Sequence, residues 1–275
     1  MVKRLIVVCI LFFIGLFLWN TDFKAILQEL EKIGYKFVYL LGITLLSYLF
    51  GAWSWYVCLG AEKKNTSLFR LFCIRQIGET IAQFNPSSVV AGDMIKAKFL
   101  QSQGISNITA NNSVAIARAT AILSYLFLLL IALTWLLWNK TGQQTDGNTR
   151  YTFYIMISLL LTLNGALFYW LVLKRPKSPL IKVSNPSFFT KTIHQLKQLI
   201  SEIRNFYQQN NPMFWLSYFL ATIHWVLGSI EFYLILLFLH VDIQLMHGLV
   251  LDTSVLLIKS LASFIPAQLG AEELA

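Results

Sequence analysis

Long runs of apolar residues, separated by short polar stretches, dominate this chain. An apolar run of about 20 residues is long enough to cross the hydrocarbon core of a bilayer as an α-helix. Six segments meet or approach this length: 4–19, 37–59, 108–138, 151–173, 213–239 and 247–265. The pattern predicts an all-α, polytopic transmembrane helix bundle of about six spans, formed as a single integral membrane domain over residues 1–275.

The first apolar segment is the shortest and has two interpretations. Lys3 and Arg4 precede a brief apolar run, which resembles the start of a signal peptide. The polar residues that follow, from Trp19 to Asp22, offer no small-residue cleavage site. A retained first span is therefore favoured over a cleaved leader.

Three stretches outside the spans also have helical periodicity. The segment 66–84 is too polar to span, and a second segment, 86–101, follows it after a break. We expect a re-entrant or interfacial helix pair here, whose first helix carries the polar residues Arg75, Gln76, Glu79 and Gln83. The segment 188–207 has a single apolar face, so it either lies in the inner membrane interface or packs on the bundle as a connector.

Composition and charge agree with a membrane protein. Hydrophobic residues make up 56% of the chain, charged residues only 13%, and the mean hydropathy is +0.61. With the N-terminus placed in the cytoplasm, the inner segments carry 15 Lys and Arg residues and the outer segments carry 5. This positive-inside pattern predicts a multi-pass protein of the cell (inner) membrane. It also explains the net charge of +9 without nucleic acid, because basic residues on the inner face suit anionic lipid headgroups.

The sequence gives no positive sign of catalysis. Cys9, Cys58 and Cys73 are scattered among apolar residues, so neither a disulfide framework nor a metal site is expected. We find no nucleophile–base arrangement and no glycine-rich loop that would cradle a phosphate. The chain is therefore not expected to be an enzyme or to need a cofactor.

A polar, proline-containing segment follows the second span. Asn85 is a good helix N-cap and Pro86 is favoured at a first helical position, so a new half-helix is expected to begin here. Gly92 allows the close approach of a backbone or a ligand. Asp93 and Lys96 lie three residues apart and would share one helix face. The alternative is a plain cytoplasmic loop with a surface Asp–Lys pair.

The last segment of the chain has a similar composition. Pro266 ends the sixth predicted span, Gly270 provides a turn or close packing, and the acids Glu272 and Glu273 follow. The segment either contributes these acids to a site or is a frayed tail whose acids are solvated.

Ionisable residues within the predicted spans are further candidates, because a charge at membrane depth is costly and usually paired. Arg118 lies in the third span, and Glu231 and Lys259 lie in the fifth and sixth. Glu231–Lys259 and Glu231–Arg118 are possible pairs, and Glu79, Glu231 and Lys259 are secondary site candidates. Asp252 lies near the outer start of the sixth span. For His224 we expect core packing.

These motifs resemble those of the transmembrane region of lysylphosphatidylglycerol synthase/flippase proteins, a family with hopanoid-biosynthesis-associated members. The family's Asn…Pro…Gly-Gly-Asp pattern is matched by Asn85, Pro86, Gly92 and Asp93, with Gly104 downstream. Its Ser…Glu-Arg pattern is matched by Ser113 and Arg118. Its Pro…Leu-Gly…Glu pattern is matched by Pro266, Leu269, Gly270 and Glu273.

The resemblance implies a flippase-like protein that handles or translocates a polar lipid, either an aminoacylated phospholipid or an isoprenoid-type lipid. Alternatives are a non-transporting module that supports a lipid-synthesis enzyme partner, and a structural membrane protein. The implied lipid-binding or transport residues are Asn85, Pro86, Gly92, Asp93, Lys96, Arg118, Pro266, Gly270 and Glu273.

The chain departs from the family pattern at three positions. Ala91 replaces the first Gly, Lys96 replaces Arg, and Ala117 replaces Glu. These departures concern the substrate more than the fold. Related proteins continue with further spans, so we expect the 275 residues to be part of a longer protein.

Overall fold

The structure is a computed structural model, which describes residues 24, 27–28, 31, 33–84, 88–141, 147–169, 201, 204–208 and 211–261. Every regular element in these ranges is helical, which confirms the predicted all-α class. Short 3-10 turns occupy Gly34–Lys36 and Gly60–Asn65. The α-helices are α1 Phe37–Val57, α2 Leu68–Phe84, α3 Ser88–Ser102, α4 Asn107–Thr141, α5 Gly147–Phe168, α6 Asn211–Phe238 and α7 Leu245–Leu261.

Three described helices have the length and hydropathy needed to cross a membrane: Gly34–Val57, Asn107–Asn139 and Pro212–Phe238. Their bounds lie within a few residues of the spans predicted from the sequence. A shorter apolar helix covers Tyr151–Ala166 in the fourth predicted span, and the 17-residue α7 overlaps most of the sixth. The first predicted span, 4–19, lies outside the described residues.

One end of the bundle collects the segments that the charge pattern assigns to the same side of the membrane. The end of α1 and the starts of α2, α4 and α6 meet there in one core, through Trp55, Leu71, Ala110 and Phe214. At the opposite end, Trp135 near the end of α4 contacts His247 near the start of α7, with 4.9 Å between ring centroids. Consecutive spans therefore alternate in direction.

Hydroxyl groups join the central helices. Ser217 of α6 lies 3.0 Å from the Ser54 hydroxyl of α1 and 3.0 Å from the Thr120 hydroxyl of α4. Because lipid tails are as apolar as the helices, the hydrophobic effect does little to drive helices together within a bilayer. Close packing at small residues and interhelical hydrogen bonds stabilise the contacts instead. This hydroxyl cluster fixes α1, α4 and α6 as the rigid wall of the site described below.

Helices α2 and α3 form a hairpin that packs against α1 and α4. The two helices approach closest at a pair of glycines, where a Cβ built on Gly92 would lie 2.5 Å from the Gly78 carbonyl oxygen. Gly92 therefore serves the close backbone approach that its position predicted. Residues 85–87, which include Asn85 and Pro86, lie outside the described residues.

The hairpin packs into the bundle beside the last turns of α1. Arg75 of α2 packs against Gly51, which lies six residues before the end of α1, or about 9 Å along the helix axis. From Arg75, α2 continues for nine more residues to Phe84. A helix lying on the surface would not bring Arg75 to this depth. For the predicted amphipathic segment 188–207, the described residues favour the connector, since Phe206 and Tyr207 pack on the core.

Candidate functional site

A polar cavity of about 130 Å³ lies between the helical hairpin and the wall formed by α1, α4 and α6. A cluster of charged side chains at this depth is a functional candidate, because charges buried in a membrane bundle are costly unless they serve a purpose. Its charged lining residues are Arg75, Glu79, Asp93, Lys96 and Arg118. The remaining lining residues are Gly51, Ser54, Trp55, Val114, Ala117, Ala121, Ala221, His224 and Trp225.

Asp93 is the centre of an ion-pair network that joins the hairpin to α4. Arg118 donates two hydrogen bonds to it, from Nη2 to Oδ1 at 2.7 Å and from Nε to Oδ2 at 3.2 Å. Two parallel N–H···O bonds of this kind fix the relative orientation of the two groups as well as their separation. Lys96, one turn along α3, places its Nζ 3.2 Å from the same Oδ1 atom.

Lys96 also connects the two helices of the hairpin. Its Nζ lies 2.5 Å from Glu79 Oε1, and the Lys96 side chain is only 6% exposed. The aliphatic stem of Lys96 crosses Gly78, where a Cβ would lie 2.5 Å from its Cγ and Cε atoms. Arg118 Nη2 is 3.9 Å from Glu79 Oε1, so the two carboxylates share two cations.

Arg75 has a different kind of partner. Its Nη2 lies 3.2 Å from His224 Nε2, and its guanidinium covers the bare backbone of Gly51. His224 Nδ1 lies 2.9 Å from the Ser47 carbonyl oxygen, which can only accept a hydrogen bond. The imidazole therefore carries its proton on Nδ1 and accepts from Arg75 through Nε2, which makes His224 a neutral partner.

Charge is unequal among the described residues that line the cavity. Arg75, Lys96 and Arg118 supply three positive charges, whereas Glu79 and Asp93 supply two negative charges. Among the described residues, Glu79 and Asp93 both form ion pairs with Lys96 and Arg118. The described lining therefore carries one excess positive charge, and Arg75 is its cation without a carboxylate within ion-pair distance.

The structure brings together five of the residues singled out from the sequence. Asp93, Lys96 and Arg118 line the cavity with the secondary candidate Glu79, and Gly92 lies next to Asp93 where α3 packs on Gly78 of α2. The surface Asp–Lys alternative is wrong, because Lys96 is buried and both residues line the cavity. Pro266, Gly270 and Glu273 lie outside the described residues, as does Glu272.

The remaining membrane-depth residues lie elsewhere. Glu231 accepts a hydrogen bond from the Thr44 hydroxyl at 2.6 Å, and Arg118 pairs with Asp93 and Glu79, so the possible Glu231–Arg118 pair is wrong. Asp252 is buried and accepts a hydrogen bond from Ser229 at 2.8 Å, where α6 and α7 cross. Lys259 lies in the last turn of α7.

A second and larger cavity lies on the opposite face of α4. It has a volume of about 890 Å³ and is almost entirely apolar. Trp135 and Trp138 lie toward one end, Phe214 and Trp215 lie toward the other, and α5 forms part of its wall. This cavity contains none of the candidate site residues.

Sequence reasoning missed the contribution of Arg75 and treated His224 only as a packing residue. His224 is indeed buried, but it also lines the cavity and its ring contacts Arg75. The available signal was the presence of Arg75 in a helix-like segment too polar to span. Among the residues that the structure describes, no group of three or more His, Cys, Asp and Glu side chains has the arrangement of a metal site.

Comparison with known proteins places the sequence in a family. The family model described as the lysylphosphatidylglycerol synthase TM region matches residues 1–275. No curated protein and no solved structure gives a match.

Proposed function

Because the chain belongs to the lysylphosphatidylglycerol synthase TM-region family, we propose that it is a flippase-like membrane protein that translocates a polar lipid. The cavity between the hairpin and the α1–α4–α6 wall receives the lipid headgroup, and the acyl chains remain in the bilayer. Lipids with an aminoacylated phosphate or an isoprenoid-type phosphate are the candidate substrates. The protein resides in the cell (inner) membrane, with its N-terminus in the cytoplasm.

One observation carries the proposal: charged residues of the hairpin and α4 line a cavity inside the helix bundle. Arg118, Asp93 and Lys96 form one connected network there. A buried ion pair is rarely more stabilising than apolar packing of similar volume. A structural role therefore does not by itself account for charged residues beside a cavity. A lipid headgroup, in contrast, needs a polar surface to replace its hydration when it crosses the bilayer.

The size of the cavity bears on the mechanism. A volume of about 130 Å³ is small beside ligand pockets, which commonly measure about 300–1,000 Å³. The described conformation has room for a phosphate-sized group but not for a whole lipid headgroup. Translocation therefore requires the hairpin to move relative to the wall, and the Asp93–Arg118 contact between them is where the two parts separate.

The proposal assigns no catalytic residue and no cofactor to this chain. Lipid synthesis would depend on a separate enzyme partner. A non-transporting module supporting that enzyme, or a structural membrane protein, would have no need to exchange lipid between leaflets.

Reconstitution tests the proposal. The full chain is placed in liposomes that contain, in parallel preparations, a trace of fluorescent phosphatidylglycerol, aminoacylated phosphatidylglycerol or polyprenyl phosphate. The fraction of each probe accessible to dithionite outside the vesicle is followed over time. We expect the wild-type protein to make nearly all of the probe accessible, whereas protein-free liposomes expose about half. No acceleration with correctly inserted protein would refute flippase activity.

Variants then test the site. Asp93→Asn and Glu273→Gln are compared with Asp242→Asn, which alters an exposed acid in the loop between α6 and α7. We expect slower lipid exchange for Asp93→Asn and Glu273→Gln and an unchanged rate for Asp242→Asn. If all three exchange lipid at the wild-type rate, the site assignment is wrong.

A further inference from the structure

Among the described cations of the cavity, Arg75 is the one with no carboxylate within ion-pair distance, although Glu79 lies one turn along the same helix. Lys96 and Arg118 are both within ion-pair distance of carboxylates. Arg75 instead donates to neutral His224 and packs its plane on Gly51. A guanidinium held by a neutral acceptor keeps its charge available to a further anion, and its remaining N–H groups suit phosphate oxygens.

We propose that Arg75 is the phosphate-binding residue of this cavity, and that the site selects lipids whose headgroup carries a net negative charge. The inference rests on the proposed lipid-handling function and narrows its substrate class. His224 is a positioning residue, since it acts through Arg75. A cationic aminoacylated headgroup would meet the excess positive charge of the described lining and is disfavoured.

Two small residues support this assignment by leaving space beside the guanidinium. Gly51 lets the Arg75 plane lie on the α1 backbone, since a Cβ there would lie 2.9 Å from Arg75 Cζ. Ala117 lines the same cavity one residue before Arg118. Because position 117 carries a methyl group, α4 adds no carboxylate here to neutralise the charge of Arg75.

Binding to the purified 275-residue chain in detergent tests the proposal with three probes. Dioctanoyl phosphatidylglycerol carries the anionic phosphate and two short chains. Dioctanoylglycerol lacks the phosphate, and glycerol phosphate lacks the chains. We expect the phospholipid to bind at least about tenfold more tightly than dioctanoylglycerol, as the loss of a charge-assisted hydrogen bond predicts. Competition by glycerol phosphate alone would identify a free phosphate ester, not a lipid, as the ligand of Arg75.

The central variant is Arg75→Gln, and Arg70→Gln is its control because Arg70 is exposed on the same helix. We expect Arg75→Gln to weaken phosphatidylglycerol binding about tenfold or more and to leave dioctanoylglycerol binding unchanged. Arg70→Gln should bind both probes like the wild type. If Arg75→Gln binds phosphatidylglycerol as tightly as Arg70→Gln does, the proposal is wrong.

A second pair of variants leaves Arg75 in place. Ala117→Glu adds a carboxylate to the cavity and Ala117→Gln adds a neutral group of the same size. We expect phosphatidylglycerol binding to fall for Ala117→Glu well below that of Ala117→Gln, with the opposite order for a lysylated phosphatidylglycerol probe. Equal binding of phosphatidylglycerol by both variants would overturn the proposed selectivity.

A third pair tests the contact with Gly51. Gly51→Ala displaces only the flexible end of Arg75, so the fold is expected to persist while binding weakens severalfold. Gly42→Ala, on the same helix with no atom within 4 Å of the added methyl group, should bind normally. Unchanged binding by Gly51→Ala would show that the guanidinium position is immaterial and would contradict the proposal.

Failure of this inference is distinguishable from failure of the proposed function. If Asp93→Asn slows lipid exchange while Arg75→Gln changes neither exchange nor phosphate binding, the protein moves lipid and the role of Arg75 is wrong. If the wild type neither binds phosphatidylglycerol nor exchanges it, both proposals fall.

Discussion

Arg118 of α4 donates two hydrogen bonds to Asp93 of α3, at 2.7 Å from Nη2 and 3.2 Å from Nε. This contact joins α4, a helix of the wall, to the hairpin formed by α2 and α3. The Asp93 side chain is 22% exposed and the Arg118 side chain 33%, so neither is fully enclosed by the helices. The pair is therefore strong enough to hold the hairpin against α4 and exposed enough to separate when the site opens.

Loss of either member of this pair should weaken the attachment of the hairpin. We expect Asp93→Asn and Arg118→Gln each to lower the free energy of unfolding by about 1.5–3 kcal/mol, the range for hydrogen bonds to charged groups. The double variant should cost less than the sum of the two, because its second substitution breaks no additional contact between them. Chemical or thermal unfolding in detergent measures these changes, and strictly additive losses would contradict direct coupling.

The close approach of the two hairpin helices should not tolerate a methyl group. In Gly92→Ala the added Cβ would lie 2.5 Å from the Gly78 carbonyl oxygen, a backbone atom that cannot move alone. We expect a loss of about 1–3 kcal/mol, as for an overpacked core. Thermal unfolding with Gly165→Ala as control provides the comparison, because nothing lies within 4 Å of a methyl group at Gly165. Equal stability of the two variants would show that α2 and α3 lie farther apart at Gly92 than the structure indicates.

Stability should depend on pH through Glu62, which lies outside the spans in the turn before α2. Hydrogen bonds from the Thr109 hydroxyl and from the Ser106 backbone and hydroxyl groups hold the pKa of Glu62 below its ordinary value. A lowered carboxyl pKa stabilises the folded state above the ordinary pKa, and this contribution is lost as pH falls through the lower, folded value.

The expected result is a melting temperature for Glu62→Gln below that of the wild type at neutral pH, with the difference shrinking in acid. Thermal unfolding over a pH series measures it. Glu31→Gln, at an exposed position, serves as control and should follow the wild type. A difference that stays constant with pH would exclude Glu62 as the titrating group.

Cysteine labelling should define the orientation of the bundle. Ser67→Cys and Val241→Cys place reactive groups at exposed positions near opposite ends, in a chain from which Cys9, Cys58 and Cys73 have been removed. We expect an impermeant maleimide to label Val241→Cys in intact cells and Ser67→Cys only after permeabilisation. Reversed labelling would invert the topology, and labelling of both from outside would contradict the alternation of the spans.

The sequence alone was sufficient to predict the helices. Apolar length and periodicity placed 37–59, 108–138 and 213–239 within a few residues of α1, α4 and α6, because each helix satisfies its own backbone hydrogen bonds. The same local logic identified α2 and α3, and the one-turn spacing of Asp93 and Lys96 predicted their shared face. The asymmetry of Lys and Arg predicted which segments share an end of the bundle.

Only the tertiary structure decided how the charges are paired. Asp93 meets Arg118 across 25 residues of sequence, and Arg75 meets His224 across 149, distances over which periodicity carries no information. The sequence left Glu231 as a possible partner of Arg118, yet the depth of the hairpin brought Asp93 and Glu79 to that position instead. That depth depends on the contact between Gly78 and Gly92 and on the packing of Arg75 against Gly51. Such close approaches arise from the joint geometry of several helices, which no single stretch of sequence specifies.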